Sequence, residues 1–427
     1  MIPTALITLL TLLALAVPVA ASLGVLGLFL ADTYAFLPVH RAIGEIAWKV
    51  MNNTLLVSIP LFVLLGEIML RSGMAQRMYA ALGHWLTWLP GGLMHSNIGA
   101  CTMFSAISGS SVATAATVGT VAIAEGRNQG YNDRLFLGTL AAGGTLGILI
   151  PPSINLIVYG VLTDTSIPKL YLAGIVPGLI LASLFMVTVI VICSFRPEWG
   201  GTRRSSAWRE RIRTLPDLLP PLVIFLVVIG SIYAGWATPT ESAALGVLAA
   251  LGLTLSHRQN RLDLAGLRQA VEGTVQTSAM ILAILVAAYF LNFVMASIGL
   301  TRQVNAFVTN LGLTPFETLM MIVLFYLILG MFMETLSMMI TTVPIITPIV
   351  VSLGYDPIWF GILIMLLIET AMITPPVGIN LFVVQGVRGR GQLHDVMLGS
   401  LPFVVTLLVM IGVLISFPGL ALWLPNL

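Results

Sequence analysis

The chain has 427 residues, of which 19 are Lys or Arg and 17 are Asp or Glu, so charged residues make up 8%. A soluble domain carries roughly 25% charge and about 45–50% apolar residues, whereas here the hydrophobic share is 58%. Too little charged surface remains to keep such a chain in water. That excludes a secreted enzyme, a nucleic-acid binder and a disordered scaffold, and leaves an integral membrane protein with the lipid bilayer as its surroundings.

Taken in chain order, apolar runs long enough to cross about 30 Å of hydrocarbon fall near 6–30, 53–71, 135–160, 170–194, 218–235, 241–256, 276–297, 358–386 and 396–424. The first reads as one span kinked at Pro18. Two further runs, near 91–125 and 316–352, are cut in the middle by Gly, Ser, Thr or Pro and read as re-entrant helical hairpins. Basic loops mark the cytoplasmic side. These carry Arg127 and Arg134, then Arg196 to Arg213, then Arg258, Arg261 and Arg268, then Arg388 and Arg390. Loops 161–168 and 353–357 have no Lys or Arg and fall outside. The same alternation puts 31–52 outside, although it holds Arg41 and Lys49. Cys101 and Cys193 lack the spacing of a disulfide framework or zinc site and read as small buried residues.

Pro151-Pro152 and Pro375-Pro376 lie 224 residues apart (375 − 151). The same offset pairs Gly130-Tyr131 with Gly354-Tyr355, Ser111 with Thr335 and Thr117 with Thr341. It slips by a residue or two to pair Asn155 with Asn380, Pro90 with Pro315 and Gly73 with Gly299. Ordered matches over such a length describe a duplicated unit. Gly130-Tyr131 sits in an inside loop and Gly354-Tyr355 in an outside one, so the copies enter the membrane from opposite faces. Inverted repeats with interrupted apolar segments at matching places point to a secondary transporter and its binding site.

Non-helical backbone at membrane depth survives only where it lines a cavity or is buried in protein. Each Pro-Pro pair removes two N–H donors and disfavours helix before it. Carbonyls freed there suit a hard cation such as Na⁺, and the N–H groups of the next half-helix suit an anion. Opposite the first break stands Ser108-Gly109-Ser110-Ser111-Val112-Ala113-Thr114, and its counterpart is Glu334-Thr335-Leu336-Ser337 followed by Thr341-Thr342. Any one of these hydroxyls is more simply a helix-packing residue. Their clustering opposite a Pro-Pro break in both copies favours ligation. Intramembrane carboxylates carry a functional hypothesis by default. Glu334 and Glu369 divide evenly between cation or proton binding and a helix-terminus role. Glu67 reads as a partner of Arg71, and Glu241 as part of a helix cap made by Thr240. Neither Walker A nor HExxH occurs, so the chain neither hydrolyses ATP nor carries that metalloprotease signature.

Certain stretches resemble the large membrane subunit of TRAP (tripartite ATP-independent periplasmic) transporters: Ser108 to Ala115, Gly144 to Ser153, Ala237 to Ala243, Met333 to Thr335 and Ile373 to Leu381. The likeness spans nearly the whole chain. It implies an all-α membrane protein of the ion transporter superfamily, with an inverted repeat, two re-entrant hairpins and two broken transmembrane helices working as an elevator. Its expected units are N-terminal scaffold helices (1–71), a first repeat with arm, hairpin and broken helix (72–160), scaffold helices and basic loops (161–297), a second repeat (298–386) and a C-terminal helix (387–427). The resemblance implies Na⁺-driven import of a carboxylate-bearing solute across the bacterial inner membrane. A periplasmic substrate-binding protein would deliver the solute, and a small four-helix membrane subunit, expected as a separate chain, would complete the complex. The first Na⁺ site would involve Ser108, Gly109, Ser111, Gly147, Pro151 and Pro152, and the second Thr335, Ser337, Thr341, Thr374, Pro375 and Gly378. Ser110, Ser153, Asn155, Glu334 and Asn380 would meet the substrate. The competing reading is an ion or solute channel with a half-helix pore, which would be expected to show charged rings or a filter sequence.

Overall fold

A computed structural model describes residues 1–15, 17–126, 129–202, 207–256, 262–300, 303 and 312–427. Among the described residues there are helices and turns but no strand, and Tyr131 and Gly200 make an isolated bridge. Helices satisfy their own backbone polar groups, as hydrocarbon requires. Arg127, Arg203, Arg204, Arg258 and Arg261 lie outside the described residues, as do 304–311 of the expected second repeat.

The first predicted span divides into two helices. α1 (Ile2–Ala14) stops before Pro18 and α2 (Val19–Tyr34) starts after it. Thr4 Oγ1 lies 3.0 Å from the Tyr34 hydroxyl, so α1 begins beside the end of α2 and the two run antiparallel. Pro18 lacks an N–H and disfavours helix at Val17, turning a long apolar run into a hairpin. The segment with Arg41 and Lys49 folds as α3 (Ile43–Met51), which exposes Trp48 and buries Val50. α4 (Ser58–Arg71) bends by 67° at Gly73 into α5 (Met74–Leu86).

α6 (Leu93–Ser108) and α7 (Ser111–Gly126) pack on each other. The predicted span 135–160 is α8 (Asp133–Thr145) and α9 (Ile154–Thr163), separated by the Pro-Pro segment. Then come α10 (Ile167–Phe195), α11 (Trp208–Thr214), α12 (Leu219–Tyr233), α13 (Pro239–Ser256) and α14 (Leu264–Ser297). α14 begins well before the predicted 276, because Asp263 caps it by accepting from Gly266 N at 2.7 Å. Thr238, rather than Thr240, caps α13: its N–H and hydroxyl each donate to Glu241 Oε2 at 2.8 Å. Thr240 instead donates to Thr54 O at 3.0 Å. Glu67 does pair with Arg71, at 3.0 Å. The chain ends with α15 (Pro315–Gly330), α16 (Thr335–Ser352), α17 (Pro357–Met372), α18 (Ile379–Arg388) and α19 (Leu393–Ser416).

The duplication is visible in the helix starts. α7 and α16 begin 224 residues apart (335 − 111), α8 and α17 224 (357 − 133), α9 and α18 225 (379 − 154), and α10 and α19 226 (393 − 167). Gly130 and Gly354 both take positive φ, and both Pro-Pro bonds are cis. The copies interlock: α7 packs on α18 of the other copy, and α9 on α16. Arg388, its side chain 8% exposed, ties them at one end through Asp133 at 3.0 Å and Asp395 at 3.2 Å. A second group of helices, α2, α4, α12, α13 and α14, packs together beside this body.

α8 and α19 meet backbone to backbone at Gly138 and Gly399, where an added Cβ on Gly399 would overlap the Arg134 carbonyl. Gly399→Ala gains about 1 kcal/mol in helix propensity but forces the helix axes apart. The expected net loss is about 2 kcal/mol, read as a lower unfolding temperature in detergent. On the same helix a Cβ at Gly412 meets nothing within 4 Å, so Gly412→Ala should be neutral or stabilising.

Candidate functional site

The first site grows from the α6–α7 turn. Gly109 takes φ +58, a conformation open to glycine and costly to residues with a Cβ. Ser108 Oγ lies 2.9 Å from Thr114 Oγ1, which donates to Ser110 O at 2.7 Å, so the turn is laced by its own hydroxyls. This turn rests on the first break. Ile154 N donates to Gly109 O at 3.5 Å, and a Cβ on Gly109 would lie 2.7 Å from Pro152 O. A Cβ on Gly147 would lie 2.8 Å from Ser110 O. The predicted Ser108, Gly109, Ser110, Ser111, Gly147, Pro152 and Ser153 are therefore neighbours, with Pro151 in the same segment. Ser153 also caps α9, accepting from Leu156 N at 3.4 Å. The oxygen-only donor set of hydroxyls and carbonyls suits a hard cation.

The second site starts at Glu334, the N-cap of α16. Its carboxylate accepts from Ser337 N, Ser337 Oγ and Thr335 Oγ1, each at 2.9 Å. The helix dipole favours a negative group there. Glu334, Thr335 and Met338 share a cavity of ≈40 Å³ with Met372, Val377 and Gly378 of the second break. That is room for a water or a bare cation. Thr341 Oγ1 donates to Ser337 O at 2.7 Å and Thr374 Oγ1 to Thr370 O at 2.6 Å. Both hydroxyl protons stay within their own segments, and each oxygen keeps lone pairs.

Both turns open on one cavity of ≈440 Å³, within the 300–1,000 Å³ typical of small-molecule sites. Ser108–Ala113, Asn155 and Glu334–Leu336 line it from one side, and Gly66, Glu67, Thr277 and Met280 of α4 and α14 from the other. No Lys or Arg is among the described lining residues. Arg71 stands one turn beyond Glu67 and donates to Gln269 Oε1 at 2.7 Å. A larger space of ≈550 Å³ between α5 and α7, lined by Gln76, Tyr79, His84 and Glu125, is reached by neither turn.

The two asparagines part company. Asn155 lines the cavity, and its buried Nδ2 has no hydrogen-bond partner among the described residues. Asn380 is fully buried and donates to Ala141 O of α8 at 3.2 Å. Glu369 lies fully buried in α17, and the only polar group it interacts with among the described residues is the Leu149 backbone of the first break. Thr114 belongs to the hydroxyl cluster read in the sequence, whereas Gly66 and Thr277 carry no sequence signal, because α4 and α14 have no motif that marks them as lining residues. Nor did sequence reasoning foresee that Ser111 Oγ donates to Met372 Sδ at 3.1 Å, joining the first turn to the second break.

The sequence model of the family described as "Tripartite ATP-independent periplasmic transporter, DctM component" matches residues 6–420. The chain is 35% identical over 391 residues to the C4-dicarboxylate TRAP transporter large permease protein DctM of Pseudomonas aeruginosa, covering 90% of each. It is 33% identical over 378 residues to the sialic acid TRAP transporter large permease protein SiaM of Vibrio cholerae, covering 88% of this chain and 87% of that one. In fold it is similar to the crystal structure of the YdaH transporter of Alcanivorax borkumensis, with a TM-score of 0.65 at 14% identity over 98% of this chain and 99% of that one. Matched along almost its whole length, the chain belongs to the DctM-component family, the large permease subunits of TRAP transporters, and is a transport protein of the inner membrane rather than an enzyme.

Proposed function

We propose that this chain is a Na⁺-coupled importer subunit. It takes a small organic anion from a periplasmic substrate-binding protein and works beside a small four-helix membrane subunit. The carrying observation is the single ≈440 Å³ cavity on which both interrupted turns open. Its lining holds Glu67 and Glu334 and no cationic side chain among the described residues. An anion held about 5 Å from a carboxylate would be repelled by about 3 kcal/mol at an effective dielectric constant of about 20. Cations entering with the cargo offset that repulsion, and oxygen-rich turns are where they would sit. Relatives named for C4-dicarboxylates, sialic acid and ectoine support a carboxylate-bearing solute as cargo.

The movement is of the elevator type. The interlocked repeats, 72–160 and 298–386, travel as one body, their turns acting as re-entrant hairpins entering from opposite faces. The group containing α2, α4, α13 and α14 stays as scaffold. A cavity bounded by both groups changes its exposure when one slides past the other.

Ser111→Ala and Thr335→Ala test the ion sites. Losing one hydroxyl ligand should raise the Na⁺ concentration for half-maximal uptake about tenfold. Ser183→Ala, whose hydroxyl donates to Leu179 O at 2.8 Å on an exposed face of α10, should leave it unchanged. Unaltered Na⁺ dependence in both site variants would remove the assignment.

A further inference from the structure

The basic segment before α12 has no part in transport as described. α11 passes through the turn Leu215–Leu218 into α12, making Trp208–Tyr233 one helical path of 26 residues. Its most exposed large apolar side chains are Trp208, Ile212, Leu215, Leu219, Leu222 and Leu226, with Val223 and Tyr233 less so. Spacings alternating between four and three residues place the first six on one helical face, so the stripe that meets hydrocarbon on α12 continues down α11. At about 100° per residue, Arg209 stands about 100° and Arg213 about 140° from the centre of this stripe on one side, and Arg211 about 60° on the other. Glu210 and Asp217 fall on the opposite face.

Neighbouring contacts fix which way α11 looks. Asp217 turns toward the protein, 3.7 Å from Arg77 of α5, and Trp208 meets Trp85 of α5 edge-on at 6.0 Å. Arg211 lies over the Trp208 ring at 5.4 Å, and its buried Nε has no hydrogen-bond partner among the described residues. Arg209 and Arg213 are exposed. The exposed charged side chains between the apolar stripe and the face with Glu210 and Asp217 are thus cationic, Arg209 and Arg213. The positive-inside rule sets them at the cytoplasmic leaflet, whose surface is negative.

We propose that α11 is a binding site for an anionic phospholipid, with the headgroup phosphate between Arg209 and Arg213 and the acyl chains along Leu215 to Leu226. Charge complementarity and the unbroken apolar stripe single out this occupant. A basic cluster directly cytoplasmic of a span is the arrangement that captures acidic headgroups. The bound lipid braces α5 through Trp208 and Asp217, and α5 in turn packs on the α6–α7 pair that carries the first turn.

The test is a titration of the purified full-length chain in detergent with phosphatidylglycerol or phosphatidylethanolamine of matched acyl chains. Bound lipid is read by native mass spectrometry and stability by thermal unfolding. Phosphatidylglycerol should bind and raise the unfolding temperature, and phosphatidylethanolamine should not. Arg209→Gln should weaken phosphatidylglycerol about fivefold, and the double variant with Arg213→Gln about twenty-five-fold. Arg209→Lys with Arg213→Lys should restore most of the affinity, and Arg268→Gln, on the exposed start of α14, should change nothing. Equal binding of the two lipids, unchanged affinity in the double Gln variant, or displacement of the lipid when the small membrane subunit is added would each overturn the proposal.

Discussion

Gly109→Ala is expected to lower Na⁺-driven uptake about a hundredfold while the protein still reaches the membrane. Two effects add. The residue sits at φ +58, where a Cβ costs about 1–2 kcal/mol, and that Cβ would come within 2.7 Å of Pro152 O. An ordinary contact needs several tenths of an ångström more, so the α6–α7 turn must lift off the first break. Turn and break are the two halves of the proposed ion site, so the displacement falls where ligand distances matter most. Gly130→Ala separates strain from contact: its φ is +73, yet its Cβ would meet nothing within 4 Å. It should lose stability and keep its Na⁺ dependence. A Gly109→Ala protein with normal uptake would show that the contact between turn and break is irrelevant to transport.

Replacing Glu334 should have the second-largest effect, and two substitutions divide it. The carboxylate accepts three hydrogen bonds and caps α16. Glu334→Ala removes cap and charge together, so stability should fall by about 1–2 kcal/mol and uptake more than tenfold. Glu334→Gln keeps an acceptor and the side-chain volume. It should unfold near the wild-type temperature yet need about tenfold more Na⁺ for half-maximal uptake. Unchanged Na⁺ dependence in the Gln variant would make Glu334 a helix cap and nothing more.

What could be read in the chain was local chemistry at fixed intervals. Two Pro-Pro pairs 224 residues apart, with Gly130 and Gly354 at the same offset, announced a duplicated unit, and the helix starts keep that interval. Clusters of hydroxyls opposite each break marked Ser108 to Ser111 and Glu334 to Ser337, and Ser108–Ser111 and Glu334–Leu336 line one cavity. Hydropathy could not foretell that Pro18 folds one long apolar run into two antiparallel helices, because hydrophobicity is blind to where a backbone donor is missing. Contacts between copies were equally hidden. Asn380 is the counterpart of Asn155 in sequence, yet it donates to Ala141 O of α8 while Asn155 lines the cavity. Ser111 reaching Met372 is a further contact between the copies. Lining residues from α4 and α14 come from helices whose sequences read only as apolar spans.

Uptake into proteoliposomes tests the central claim most directly. The vesicles would contain this chain with its small membrane subunit, supplied with the periplasmic binding protein and a labelled carboxylate solute such as a C4-dicarboxylate. An inward Na⁺ gradient would be compared with equal Na⁺ on both sides, each with and without the binding protein. Coupled import predicts accumulation above equilibrium only when gradient and binding protein are both present. Uptake that merely equilibrates, indifferent to both, would contradict it and make the chain a channel.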